Sequence, residues 1–243
     1  MKKNRKQKLI ILISFSFFIL TTIIFLMQYP VYKTMMPGYH SLIYTTSKYH
    51  QLLGNNSDEL IELSATKIEG DKKMLQSEKL FEKHIITMFP YWYGTRWNFN
   101  GKTEIPGKGS IACGYFVTTV LKQSGLNIEK NALARLGSEE MIKAICDDAI
   151  LYRFTNYSMI PFLEKIKLQG VGIYLLGLDT HTGFIWNDGN EIYFVHASGR
   201  FPYCVKKEIA NESITLWKSK YKVIAKISGD TSVLNKWLNH KPF

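Results

Sequence analysis

The sequence predicts an α+β domain, with helices first and an antiparallel sheet afterwards, preceded by one membrane-spanning helix. Three observations carry this reading: an uncharged run of 19 residues near the N-terminus, helical periodicity from about residue 59 to 168, and strand-like runs after Gly170. A chain of 243 residues that is 46 % hydrophobic can bury a real core. This excludes a disordered chain, a disulfide-rich mini-protein and a polytopic membrane protein.

The N-terminal segment is read from its charges. Lys2, Lys3, Arg5, Lys6 and Lys8 hold five of the 31 basic side chains, with no acidic residue before position 31. The formal charge of +11 therefore falls to +6 over residues 31–243, spread thinly and without a cluster resembling a nucleic-acid groove. No nucleic-acid partner is expected. Leu9 to Met27, dominated by Ile, Leu and Phe, would span roughly 28 Å as a helix, close to the hydrocarbon thickness of a bilayer. A cleaved signal peptide would need a shorter apolar core and a small-residue cleavage site, which Phe25 to Pro30 does not offer. Residues 1–8 read as a basic cytoplasmic tail, 9–27 as a single-pass anchor in the cell membrane, and the rest as extracytoplasmic.

Residues 28–58 carry Pro37-Gly38 and Gly54-Asn55-Asn56-Ser57 without sustained periodicity, and are expected to form a stalk. The folded domain is expected over 59–243. Leu60, Leu63, Ile68, Leu75, Leu80, Ile85 and Met88 predict helical segments interrupted near Gly70 and ended by Pro90. Tyr91 to Gly109 reads as an aromatic, glycine-rich loop, and Ala112 to Gln123 as a helix closed by Gly125. Further helices are expected at Glu139 to Asp148 and Ile160 to Leu168. Strands are expected at Val171 to Leu178, Gly183 to Asn187, Glu191 to His196 and part of Leu216 to Ile227.

The candidate chemistry lies in cysteine and histidine. Gly101 to Ser110 only superficially resembles a phosphate-binding loop, because its glycine spacing is one too long and Lys108 is followed by Gly109. Cys113, Cys146 and Cys204 are too far apart for a metal knuckle, so no metal and no cofactor are expected; one disulfide with one thiol left over is possible in an exported protein. Cys113 opens a helix, where free amides and the helix dipole favour a thiolate. Locally, a buried structural cysteine fits equally well. The histidines favour the reactive reading. Asp188-Gly189 is a strong two-residue hairpin signal, and in that register His181 stands directly opposite His196 with Cβ atoms roughly 4.5 to 5.5 Å apart. A thiol at a helix start with an imidazole held by a second polar residue suits nucleophilic acyl transfer.

Over residues 76 to 227 the chain resembles the NlpC-type branch of the papain-like cysteine peptidases, bacterial cell-wall endopeptidases. The resemblance rests on Pro90-Tyr91-Trp92-Tyr93-Gly94-Thr95, Ala112-Cys113-Gly114-Tyr115-Phe116-Val117, His181-Thr182-Gly183-Phe184-Ile185 and Val195-His196-Ala197-Ser198. It implies a papain-like fold with Cys113 as nucleophile, His181 as general base and His196 as the orienting residue. It also implies Tyr91, with Tyr93 as fallback, at the oxyanion together with a main-chain amide at Cys113; Trp97, in the aromatic loop, is a further substrate-binding candidate. The expected activity is hydrolysis of amide bonds in peptidoglycan peptides. Departures occur at Ala112-Cys113-Gly114-Tyr115, where the family usually has Asp-Cys-Ser-Gly, and at Gly94-Thr95, where it has two glycines. Alternatives are an inactive anchored wall-binding or interaction domain, and an acyltransferase or amidase on the same fold.

Overall fold

The computed structural model describes residues 11–22, 44–146, 150–156 and 159–243. Helix α1 (Thr46–Ala65) and α2 (Gly70–Trp92) lead into two short paired strands, β1 (Arg96–Trp97) and β2 (Ser110–Ile111). Then come α3 (Cys113–Gln123), α4 (Lys130–Leu133), α5 (Ser138–Lys143), β3 (Tyr152–Thr155) and α6 (Met159–Gln169). Next follow β4 (Gly172–Leu178), β5 (Thr182–Asn187), β6 (Ile192–Ala197) and β7 (Val205–Ile209). The chain ends with α7 (Ile214–Lys218), β8 (Tyr221–Lys226) and α8 (Thr231–Leu238). The main sheet has six strands in the order β3-β8-β4-β5-β6-β7, antiparallel at every pairing.

The sheet is covered on both faces. One face carries Leu175, Phe184, Val195, Val205 and Val223, packed under α2 and α3 through Phe89, Phe116 and Val120. The other carries Tyr174, Leu176, Ile185, Phe194 and Ile224 against Phe162 and Ile166 of α6 and Leu216 of α7. Double-sided burial explains why β4 is apolar throughout instead of alternating. Trp237 of α8 closes the first core, its Nε1–H donating to the Ser124 carbonyl at 2.7 Å, on a helix capped by the Asp230 carboxylate.

Several expectations are corrected. The expectation of a papain-like, NlpC-type α+β fold behind one transmembrane helix does not stand. Among the described residues no helix is long and apolar enough to cross a membrane. Residues 11–22 are helical, and residues 9–10 and 23–27 of the expected anchor, like tail residues 1–8, lie outside the described residues. The fold is a mixed α/β arrangement of an antiparallel sheet with helices on both faces, and it is not helices first and strands afterwards. The short strand β3 precedes α6, while the run Leu216 to Ile227, expected to be strand in part, holds β8 after the end of α7. Pro90 lies inside α2, within its last turns, and the helix closes at Tyr93, whose N–H donates to the Phe89 carbonyl.

The expected stalk is also revised where it is described. Helix α1 begins at Thr46, capped by Thr45, and belongs to the packed domain; residues 28–43 lie outside the described residues. Tyr49 is 1 % exposed. Its hydroxyl donates to Gln123 Oε1 at 2.6 Å and accepts the Trp92 indole N–H at 2.9 Å, so one phenol ties α1 to both α2 and α3. Tyr49→Phe leaves the buried Trp92 N–H without an acceptor and is expected to cost about 1–3 kcal/mol in denaturant unfolding. Unchanged stability would mean that α1 is not docked in this way.

Candidate active site

Cys113 is the first residue of α3. Its predecessor Ala112 is extended and offers no side-chain cap. The amides of the first helical turn are therefore not used by a capping oxygen. Burial pushes the Cys113 thiol above its ordinary value, and hydrogen bonds from the backbone amides of Thr182, Gly114 and Cys113 offset this only in part. The thiol is therefore neutral at rest, contrary to the thiolate expected from the helix start alone. Gly114 has a steric reason: a Cβ there would lie 2.5 Å from the Ala134 carbonyl oxygen, so the segment after α4 could not close over the helix start.

His181 lies immediately before β5. Cys113 and His181 both line a cavity of about 240 Å³, whose walls include Gly137, Met141, Leu178 and Thr180. The hydrogen bonds to the thiol come from backbone amides and not from an imidazole. Catalytic hydrogen bonds often tighten only when substrate is bound. His181 Nε2 is 2.7 Å from His196 Nδ1, with the rings nearly perpendicular. His196 is fully buried, stacked on Phe194 at 3.9 Å between ring centroids, and its Nε2 is 3.1 Å from Glu208 Oε1. Burial drives the His181 pKa well below the ordinary imidazole value, and the His196 ring beside it pushes in the same direction. Burial lowers His196 as well, and the hydrogen bond to Glu208 restores only part of the loss.

The two imidazoles meet by a route other than the expected register. Asn187 pairs with Ile192, Trp186 with Tyr193 and Phe184 with Val195, so the loop is Asp188-Gly189-Asn190-Glu191 and the register is shifted by two residues. Asp188 Oδ1 accepts the amides of both Asn190 and Glu191, stabilising the longer turn. A shift by two preserves the face of every side chain. Continuing the ladder puts Gly183, not His181, opposite His196. A Cβ on Gly183 would lie 2.7 Å from the Phe194 ring and 2.8 Å from both His196 Cβ and the Val195 carbonyl oxygen. The missing side chain clears the diagonal along which His181 reaches His196. On the other flank Lys206 pairs with His196 and Glu208 with Phe194, so Glu208 also reaches His196 diagonally. The three groups thus form one oblique line across β5, β6 and β7.

The remaining candidates are distributed unevenly. Tyr91 packs its ring on Tyr44 and Tyr49, at 5.1 and 5.2 Å between centroids. Tyr93 is enclosed, and burial raises its phenol. Neither lines the cavity of Cys113; backbone amides of Thr182, Gly114 and Cys113 do meet the thiol. Trp97 does reach the site. It lines, with His181, Asp179, Arg200 and Lys218, a second cavity of about 440 Å³. It also borders a third cavity, of about 770 Å³, formed with Arg96, Asn98 and Tyr203. Trp97 thus lines both of these cavities, and His181 lines the second as well as the cavity of Cys113. Cys146 and Cys204 are buried and not joined to each other, so the disulfide is absent. Glu208 escaped sequence reasoning entirely.

A neutral thiol beside a neutral imidazole has a signature. The alkylation rate of Cys113 by iodoacetamide is expected to climb with pH through a value above that of an ordinary thiol. An ion pair would instead hold the rate on a plateau down to acid pH, and that result would contradict the assignment. No family model matches the chain, and neither the curated proteins nor the solved structures include one similar to it.

Proposed function

We propose that the domain is a cysteine-dependent amide hydrolase with Cys113 as nucleophile, His181 as general base and His196 as the residue that orients it. The observation that carries this reading is the hydrogen-bonded line His181–His196–Glu208 ending in the cavity that also holds the thiol. As substrate reaches this cavity, His181 Nδ1 takes the thiol proton while Sγ bonds to the amide carbon. The oxyanion faces the amides of the α3 start. Collapse breaks the C–N bond, and the imidazolium proton goes to the leaving amine. Water then gives a proton to His181 as its oxygen bonds to the thioester carbon; the Sγ–C bond breaks, and the thiolate regains that proton.

The base must be unprotonated. Because His181 is shifted downward, activity is expected to persist on the acid side of the ordinary imidazole value and to fall only at lower pH. The proposed substrate is the peptide part of peptidoglycan, supported by the motif resemblance. The test is incubation of the full-length protein with purified peptidoglycan, followed by mass analysis of released peptides. New amine and carboxylate ends made by the wild type and not by Cys113→Ala support the reading. No new ends, or the same ends from both proteins, contradict it.

A further inference from the structure

We infer that Glu208 is a positioning residue that sets, through His196, which ring nitrogen of His181 carries its proton. The consequence for catalysis rests on the hydrolase reading above; the tautomer assignment rests on the hydrogen bonds and on the burial that keeps both rings neutral. Glu208 Oε1 accepts the Ser213 hydroxyl at 2.6 Å and faces His196 Nε2 at 3.1 Å, while Oε2 lies 2.5 Å from Lys206 Nζ. Lys206 is itself largely buried against this carboxylate. Although burial alone would raise Glu208, the hydrogen bonds from His196, Lys206 and Ser213 bring it down to about 2. An ionised carboxylate only accepts, so His196 Nε2 must carry the hydrogen.

The rest follows by exclusion. A neutral imidazole has one N–H, so His196 Nδ1 presents a lone pair. Two lone pairs cannot face each other at the 2.7 Å that separates this atom from His181 Nε2, so His181 Nε2 is the donor. His181 Nδ1 is then bare, the form a general base needs. Both rings are held neutral by burial, with Lys206 and Arg200 as neighbouring cations that also disfavour protonation of His181. Without an obligate acceptor at position 208, His196 could present its N–H to His181 and force the proton onto Nδ1.

Glu208→Gln tests this at constant size. Lys206 can only donate, so it draws the amide oxygen to the Oε2 position and turns the NH₂ group toward His196 Nε2. His196 then shifts to its Nδ1–H form, and His181 takes its proton on Nδ1. Two-bond ¹H–¹⁵N correlation spectra of ¹⁵N-histidine-labelled, full-length protein read this directly. The wild type is expected to show His181 protonated on Nε2 and bare on Nδ1, and Glu208→Gln the reverse, with kcat lower by about 100-fold or more and KM little changed. Nδ1–H on His181 in the wild type overturns the inference, even if the variant does not fold. So does a folded Glu208→Gln that keeps the wild-type tautomers. If the tautomers are as stated but no amide is cleaved, the inference stands and the hydrolase reading fails.

Discussion

Cys113→Ala is expected to abolish amide hydrolysis, with turnover down by at least about 10³-fold, while the melting temperature stays within a few degrees of wild type. The loss is large because a covalent mechanism has no substitute for its nucleophile, and what residual rate remains comes from binding and the oxyanion donors alone. The small effect on stability follows from where the thiol sits. It is half-buried at the helix start and lines the cavity, unlike Cys146, whose thiol is enclosed in the core. A variant with full activity would remove Cys113 from the mechanism. A variant that unfolds would make it a structural cysteine, the other reading its local sequence allows.

Gly183→Ala is expected to damage both stability and catalysis. Elsewhere in a strand this exchange is mildly favourable, because alanine loses less backbone entropy on folding. Here the new methyl meets a backbone atom, the Val195 carbonyl oxygen, as well as His196 Cβ, each at 2.8 Å. The ring of Phe194 could swing aside, but the carbonyl belongs to the β5–β6 ladder and cannot. Overpacking of this kind costs about 1–3 kcal/mol. His196 must move to make room, stretching its bond to His181, and a displacement near 1 Å at a reacting group costs on the order of 100-fold in rate. Thermal melts and steady-state kinetics on the same preparation check both effects. A more stable, fully active Gly183→Ala would show that the diagonal needs no gap.

The elements most legible in the sequence are those whose burial is uniform. Strands β4, β5 and β6 read as apolar runs because both sheet faces are covered, and α3 and α6 show their apolar faces at helical spacing. The end of helix α1 is legible through Leu60 and Leu63, but its first half is hidden because Gly54-Asn55-Asn56-Ser57 sits at its centre and looks like a break, although all four residues are helical. Strand β7 was hidden because Lys206, Lys207 and Glu208 fill its middle. Lys206 is buried through its ion pair with Glu208 and not through apolar character, which no hydropathy pattern reveals. The histidine pair is legible although its register is not: a four-residue loop stands where a two-residue turn is expected, and the shift by two keeps both rings on one face. The oxyanion tyrosine was carried over from the resemblance alone, and the packing of Tyr91 on Tyr44 and Tyr49 does not support it.

The most direct test of the central claim is capture of the acyl-enzyme. Full-length protein is mixed with peptidoglycan peptides, quenched in acid within the turnover time, and digested for mass analysis. The account predicts a mass increase equal to the acyl fragment, on the peptide containing Cys113 and reversed by hydroxylamine; the increase should be much reduced in His181→Ala and absent in Cys113→Ala. Hydrolysis that proceeds with no adduct on Cys113, or an adduct that forms equally fast without His181, would contradict it.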